Sequence, residues 1–201
     1  MAGKRDSYHH GDLRAALIAA GEEVLADTGV EGFSLRQVAR KVGVSHSAPA
    51  HHFGDAGGLL RAMAADGFRR FLAAMRRRQA EAGDDPREMF LGSGLGYVEF
   101  AEGAPALFRL MFGSDRIKDV PDAAFEEAAQ AAFQHLVDDV ARLRGISPYE
   151  DETAMADVMA AWSMVHGFAD LLLAGRMKAV QAMAGPARER FFRQVLLRVM
   201  T

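Results

Sequence analysis

Apolar residues recur three and four positions apart almost throughout this chain, while β-branched and aromatic residues, the usual material of strands, are sparse. Side chains at that spacing share one face of an α-helix, so the chain must bury its apolar surface helix against helix. The expected fold is all-α. Asp12 is placed to cap a first helix carrying Leu13, Leu17, Ala20 and Val24, and Thr28-Gly29 stops it. Ser34-Leu35-Arg36-Gln37 has capping-box form, Ser at the cap and Gln three residues on, and opens a short helix with Leu35, Val38, Ala39 and Val42 inward. Gly43 permits the left-handed residue that ends it, and Ser45 is expected to cap a third short helix running to about His52. In that register Pro49 falls just past the first turn and removes an intrahelical hydrogen bond.

Longer helices follow. From Asp55 one carries Leu59, Met63, Phe68, Phe71, Leu72 and Met75 on its stripe and ends before Gly83. Its other face sets Arg61, Arg69, Arg70, Arg76, Arg77 and Arg78 against Asp66 alone and reads as a solvated surface. Pro86, Pro105 and Pro121 mark three further starts, the last with Phe125, Ala129, Phe133, Leu136, Val140 and Leu143 on one side. Ser147-Pro148-Tyr149-Glu150 combines a capping Ser, Pro at the first helical position and Glu at the third, and should start a helix running to Ala174. A last amphipathic helix spans 186–200, and the loops at 113–120 and 175–185 read as mobile. Residues 1–54 thus form an N-terminal three-helix module, and residues 55–201 a helical bundle.

Composition bounds the chemistry. With 201 residues the chain makes one or two domains. No Cys means no disulfide, thiolate zinc site or thiol catalysis, and the absence of Asn removes N-glycosylation and the amide that most often pairs with adenine. No run of about eighteen apolar residues occurs, and residues 1–12 are too polar for a signal peptide, so a cytoplasmic protein without a membrane partner is expected. Lys+Arg 24 against Asp+Glu 27 does not advertise a polyanionic partner. Any such argument has to come from position.

Position supplies it. Two short helices joined by a tight Gly turn form the helix-turn-helix pattern, whose second helix lies in the major groove of double-stranded DNA. Ser45, His46, Ser47, His51 and His52 occupy that helix, with hydroxyls and imidazoles able to donate to phosphates or base edges. Arg36 and Arg40, one turn apart on the preceding helix, are placed to touch the backbone. The competing reading of the same pattern is a plain helical corner. His9-His10 and His51-His52 are adjacent pairs rather than i, i+4 pairs, so no metal and no cofactor is expected. No Gly-x-Ser-x-Gly elbow exists, which speaks against a hydrolase. Gly92-Ser93-Gly94-Leu95-Gly96 lacks phosphate-loop spacing and reads as a ridge for close helix packing or room for a ligand. In the bundle Met89, Tyr97, Phe100, Phe108, Met111, Trp162 and His166 are candidates for a small-molecule pocket with an apolar or aromatic occupant. Trp162 and His166 stand one turn apart, and each carries a polar group that needs a partner if buried.

On three stretches the chain resembles TetR/AcrR-type bacterial transcriptional regulators: Tyr8 to Arg14 (YHHGDLR), Gly32 to His46 (GFSLRQVARKVGVSH), and His52-Phe53 with Leu59-Leu60. Pro105 to Gly113 (PALFRLMFG) and Trp162 to Gly167 (WSMVHG) look like a ligand domain containing a Trp…His-Gly element. The resemblance implies a homodimer whose last two helices pair with their mates, and a repressor released from a near-palindromic operator when an effector binds in its core. Met155, Met159, Phe191, Phe192, Val195 and Val199 become candidates for the dimer interface, and Arg14 joins the DNA contacts. Two departures from the family pattern stand out. Ala50 replaces the usual Tyr and Ala56 the usual Lys, both phosphate-reaching groups, so weaker, less salt-dependent DNA binding is expected, with His51 and Arg14 partly compensating. The alternative is a degenerate member that binds small molecules or proteins as a dimer without strong DNA binding.

Overall fold

The computed structural model describes residues 10–117 and 120–199. Among them the chain forms α1 (His10–Thr28), α2 (Leu35–Val42), α3 (Ala48–Phe53), α4 (Ala56–Glu81), α5 (Pro86–Gly103), α6 (Pro105–Gly113), α7 (Ala123–Arg144), α8 (Glu152–Leu173), α9 (Lys178–Gln181) and α10 (Gly185–Leu196), with 3₁₀ turns at Asp115–Ile117 and Leu197–Val199. The all-α expectation holds. Besides α7, which begins at Ala123 with Asp122 at the cap and leaves Pro121 outside it, three helix starts differ from those read in the sequence. Helix α1 already includes His10, so Asp12 lies inside it and is not its cap. Helix α3 begins at Ala48 with Ser47 at the cap position, and Pro49 falls in its first turn, where a missing N–H costs nothing. Ser45 closes the preceding turn instead, its carbonyl accepting from Ala48 N at 3.0 Å and its hydroxyl 3.2 Å from that of Ser47. At the third, Ser147 heads a turn, and Asp151 caps α8 by accepting from Ala154 N at 2.7 Å. An ionised carboxylate at a helix N-terminus is the stronger acceptor, which explains why it outcompetes the serine hydroxyl.

The same device recurs at α4, α5 and α7, where Asp55, Asp85 and Asp122 accept from backbone N–H groups at 2.7, 2.8 and 3.0 Å. Ser34 caps α2 as read, its Oγ accepting from Gln37 N at 3.4 Å, but the Gln37 side chain accepts from the Ser34 hydroxyl at 2.7 Å rather than from its backbone N–H, while Gly43, at φ 78°, ends α2.

One apolar cluster runs from Leu17, Val24, Phe33 and Val38 through Leu59, Met63, Phe68 and Phe71 of α4 to Phe168, Leu172 and Phe192. Helix α4 therefore belongs to both halves of the molecule. A second cluster, Phe90, Val137, Val140, Ala154, Val158 and Ala161, binds α5, α7 and α8 together. Helix α5 meets α4 at its glycines: a Cβ on Gly92 would stand 2.6 Å from the Arg78 carbonyl oxygen, and one on Gly96 2.6 Å from that of Ala74. The close-packing reading of this ridge is correct.

The basic face of α4 is not simply solvated. Arg70 pairs with Glu22 of α1 at 2.9 Å, Arg61 with Asp122 at 3.8 Å, Arg77 with Glu99 of α5 at 3.5 Å, and Arg78 with Glu99 and with Glu189 of α10 at 3.0 and 3.1 Å. Counter-charges come from other helices, which helical periodicity within α4 could not reveal. Each exposed pair contributes only ~0–1 kcal/mol, but together they fix the neighbours around α4. The loop after α6 is anchored too, with Ile117 buried and the Arg116 guanidinium donating to the Val30 carbonyl. In the loop after α8, Val180 of α9 is buried.

Candidate nucleic-acid interface and ligand cavity

Val38, Ala39 and Pro49 are buried, so α2 and α3 turn their opposite faces outward. On those faces Arg36, Arg40, Ser45, His46, Ser47 and His51 are all exposed. The left-handed Gly43 sets the angle between the helices and brings these six residues onto one end of the molecule. His52 is half-buried beside the Phe53 ring, centroids 6.1 Å apart. Arg14, exposed on α1, lays its guanidinium over Phe53 at 5.3 Å, a cation–π contact that places it beside the same end. Tyr8 and His9 of the N-terminal motif lie outside the described residues. Ala50 is exposed next to His51, and Ala56 is half-buried in the first turn of α4. Acidic residues of α1 are engaged elsewhere, Glu23 with Lys41 at 2.7 Å and Glu22 with Arg70. The near-zero charge sum of this half therefore hides an outward face that carries arginines.

A cavity of about 670 Å³ lies among α4, α5, α6, α7, α8 and α10. Phe68, Phe71 and Met75 of α4, Phe90 and Tyr97 of α5, Met111 and Phe112 of α6, Phe125 and Phe133 of α7, and Trp162 of α8 supply its aromatic and methionine wall. Ring pairs brace that wall, Phe71 edge-on to Tyr97 at 4.7 Å and Phe133 to Trp162 at 5.7 Å. Of the seven candidates read from sequence, Tyr97, Met111 and Trp162 line the cavity, whereas Met89, Phe100, Phe108 and His166 do not. Met89 is rotated off by one helical position from Phe90, and Phe100 packs on the core against Phe71. Phe108 is fully buried behind Tyr97 and Phe112. His166 supports the wall from behind. Burial pushes the Tyr97 phenol far up, and its hydroxyl lies 2.7 Å from His166 Nδ1. The His166 Nε2 lies 3.5 Å from Asp170 Oδ2.

One end of the cavity is polar, and sequence reading missed it. Ser93, His135 and Asp139 line it, backed by Gln79, and all four are buried. Gln79 Nε2 donates to Asp139 Oδ1 at 2.5 Å and to Ser93 Oγ at 3.3 Å, and Ser93 Oγ lies 3.1 Å from His135 Nε2. Arg142 reaches Asp139 Oδ1 from the solvent side at 2.8 Å. Burial, opposed by Asp139, holds His135 below the ordinary imidazole range. The available signal was His135 and Asp139 one turn apart on α7, but both fall beside the apolar stripe assigned to that helix. Packing against α4, α5 and α8 buries α7 on more than one side, so the stripe understated its interior face.

Among the dimer candidates, Met159 is exposed on α8, Met155 is half-buried on the second cluster, and Phe191 and Val195 pack half-buried on the main core. Phe192 is buried within its own chain, edge-on to Phe168 at 4.7 Å, and is not available to a partner. The Val199 side chain lies outside the described residues. Among those residues no three His, Asp or Glu are grouped to hold a metal ion, and no helix is long and apolar enough to cross a membrane.

Residues 17–63 match the sequence profile described as bacterial regulatory proteins, tetR family, and residues 90–199 that of the Tetracyclin repressor-like, C-terminal domain. The chain is 37% identical over 75 residues to the HTH-type transcriptional regulator BetI of Stenotrophomonas maltophilia, a match over 37% of this chain and only 38% of that protein. A protein of unknown function from a Rhodococcus species is 32% identical, with a TM-score of 0.77 over 96% of this chain and 98% of that one. A TetR-like transcriptional regulator from Rhodococcus, 16% identical, shares the fold with a TM-score of 0.67 over 96% of this chain and 98% of that one. With more than half of its length matched by the C-terminal profile and the helix-turn-helix matched by the other, this chain belongs to the tetR family of bacterial regulatory proteins.

Proposed function

We propose that the protein is a cytoplasmic, DNA-binding transcriptional regulator that holds a near-palindromic operator as a homodimer and releases it when a small molecule occupies the cavity. The observation that carries this reading is the outward set Arg36, Arg40, Ser45, His46, Ser47 and His51 around the Gly43 turn. Hydroxyls, imidazoles and guanidinium groups there suit phosphate oxygens and base edges. The family's members are regulators, and in the one Ser–His–Asp grouping of the cavity Asp139 Oδ2 lies 3.6 Å from the same His135 Nε2 that faces Ser93, not from the opposite ring nitrogen as an orienting acid would.

Helix α4 supplies the coupling. Its first turn abuts α3, and Phe68, about 18 Å further along the axis, enters the cavity wall. An occupant that prefers one tilt of α4 biases the distance between the two recognition helices of a dimer, which on DNA must be about one duplex turn, ~34–36 Å. Met159 and Trp162, exposed on α8, offer apolar surface for the second copy.

A second reading, a dimer that binds small molecules without strong DNA binding, is favoured by Ala50 and Ala56, which present no phosphate-reaching group. Retardation of the DNA upstream of the protein's own gene, in a titration with competitor DNA, separates the two. Selective retardation supports the regulator, and none at micromolar protein supports the alternative.

A further inference from the structure

We propose that the cavity selects organic cations: molecules with an apolar body and a protonated, N–H-bearing amine whose head group is held by Asp139. The inference rests on reading the cavity as the effector site and names the chemistry of that effector.

Three observations converge. Among the described residues that line the cavity none is Lys or Arg, whereas two are carboxylates, Asp139 at the polar end and Glu126 on the first turn of α7. Eight of the lining residues are Phe, Tyr or Trp, and the faces of such rings attract cations. The third is the state of Asp139 itself. Its side chain is 1% exposed, Oδ1 takes hydrogen bonds from Gln79 and Arg142, and Oδ2 has no hydrogen-bond partner. A buried carboxylate oxygen left without a donor is costly, and the neighbours do not supply one. His135 Nε2 lies 3.6 Å away, beyond hydrogen-bond reach, and is engaged by Ser93. Arg142 binds the other oxygen, is 39% exposed and does not line the cavity.

A ligand ammonium can therefore give one N–H to Asp139 Oδ2, with its apolar body against Phe71, Phe133 and Trp162. A carboxylate ligand would meet Asp139 and Glu126 with no cation on the wall to offset them. A neutral alcohol would gain only the weaker, uncharged hydrogen bond.

The test uses the full-length protein and reads the fluorescence of Trp162, the only Trp of the chain, on the cavity wall. Phenylbutylamine, phenylbutanol and phenylbutanoate share one apolar body and differ only in the head. The amine should bind at least ~10-fold tighter than the alcohol, and the carboxylate weakest of the three. Phenylbutyl-trimethylammonium, a cation without N–H, should fall between amine and alcohol. Asp139→Asn should weaken the amine ~10-fold and leave the alcohol within ~2-fold. The ranking on the native protein decides the matter even if that variant fails to fold. Equal or tighter binding of the alcohol or carboxylate, or no saturable response to the amine up to millimolar concentration, overturns the proposal. A parallel gel shift separates this from the regulatory reading: amine binding that leaves DNA retardation unchanged supports cation selection and overturns effector release.

Discussion

Gln79 Nε2 lies 2.5 Å from Asp139 Oδ1, so a neutral amide on α4 holds the buried carboxylate on α7 at the polar end of the cavity. The same amide nitrogen donates its second proton to Ser93 of α5, and three helices meet at one side chain. Replacing Gln79 by Leu keeps the volume but strips a donor from a buried charge. The variant should lose about 1–3 kcal/mol of stability, read as a lower urea midpoint at unchanged slope. A midpoint equal to that of the native protein would show that the network contributes nothing.

Gly96→Ala should destabilise more than its helix propensity suggests. Alanine is favoured over glycine in a helix by about 1 kcal/mol, yet here its Cβ would press on the Ala74 carbonyl at 2.6 Å and the Met75 Cα at 2.7 Å, both backbone atoms. A net loss of about 1–3 kcal/mol follows from such overpacking, a fall in Tm of roughly 2–10 °C for a chain of this size. Gly94→Ala meets only the flexible end of Leu196 and should cost less. Thermal melts of the two variants side by side check the order.

At the DNA face, Ser45→Ala combined with His46→Ala should abolish selective retardation of an operator fragment while leaving the melting temperature unchanged, since neither side chain is buried. Arg40→Ala should weaken all sequences alike and reduce the slope of log affinity against log salt by about 1 for each phosphate that is no longer neutralised. Restoring the two missing groups with Ala50→Tyr and Ala56→Lys should raise affinity and steepen that slope. A salt slope indifferent to Arg40, Ala50 and Ala56 would move the interface elsewhere.

Stability should fall on mild acidification. Burial lowers His135 in the folded chain, with Arg76 of α4 and Arg142 acting in the same direction and Asp139 and Asp138 opposing. Above ~6.5 the folded and unfolded forms are both neutral at this site. Below it the unfolded chain takes up a proton that the folded chain refuses, so stability is lost as pH drops from ~6.5 towards the folded value and then levels off. His135→Gln retains a hydrogen-bonding group for Ser93 without titrating, and its Tm should fall less between pH 7.5 and 5.5. Identical losses in both proteins would exclude His135 as the source.

The helical order, the helix-turn-helix and the Gly92–Gly96 ridge were legible because each is written in neighbouring residues. Caps were legible as types but not always as positions: Ser147 and Asp151 both qualify, and only the folded chain shows that the carboxylate wins. The cavity was half legible. Tyr97, Met111 and Trp162 could be singled out by residue type, but whether a ring faces the cavity or stands behind it depends on helix rotation, as Phe90 against Met89 illustrates. Its polar end was illegible, because Gln79, Ser93, His135 and Asp139 lie on three helices and become neighbours only through packing.

The seam between α5 and α4 limits how α4 can move. No side chain separates the backbones where Gly96 faces Ala74, so sliding is blocked by direct steric overlap and rocking about that point is the freedom left. Ala56 lies 18 residues ahead, a lever of about 27 Å, so a tilt of about 5° there swings the DNA end through roughly 2 Å. Phe68, Phe71 and Met75 sit close to the fulcrum, where a displacement of well under 1 Å by an occupant is geared up severalfold at the far end.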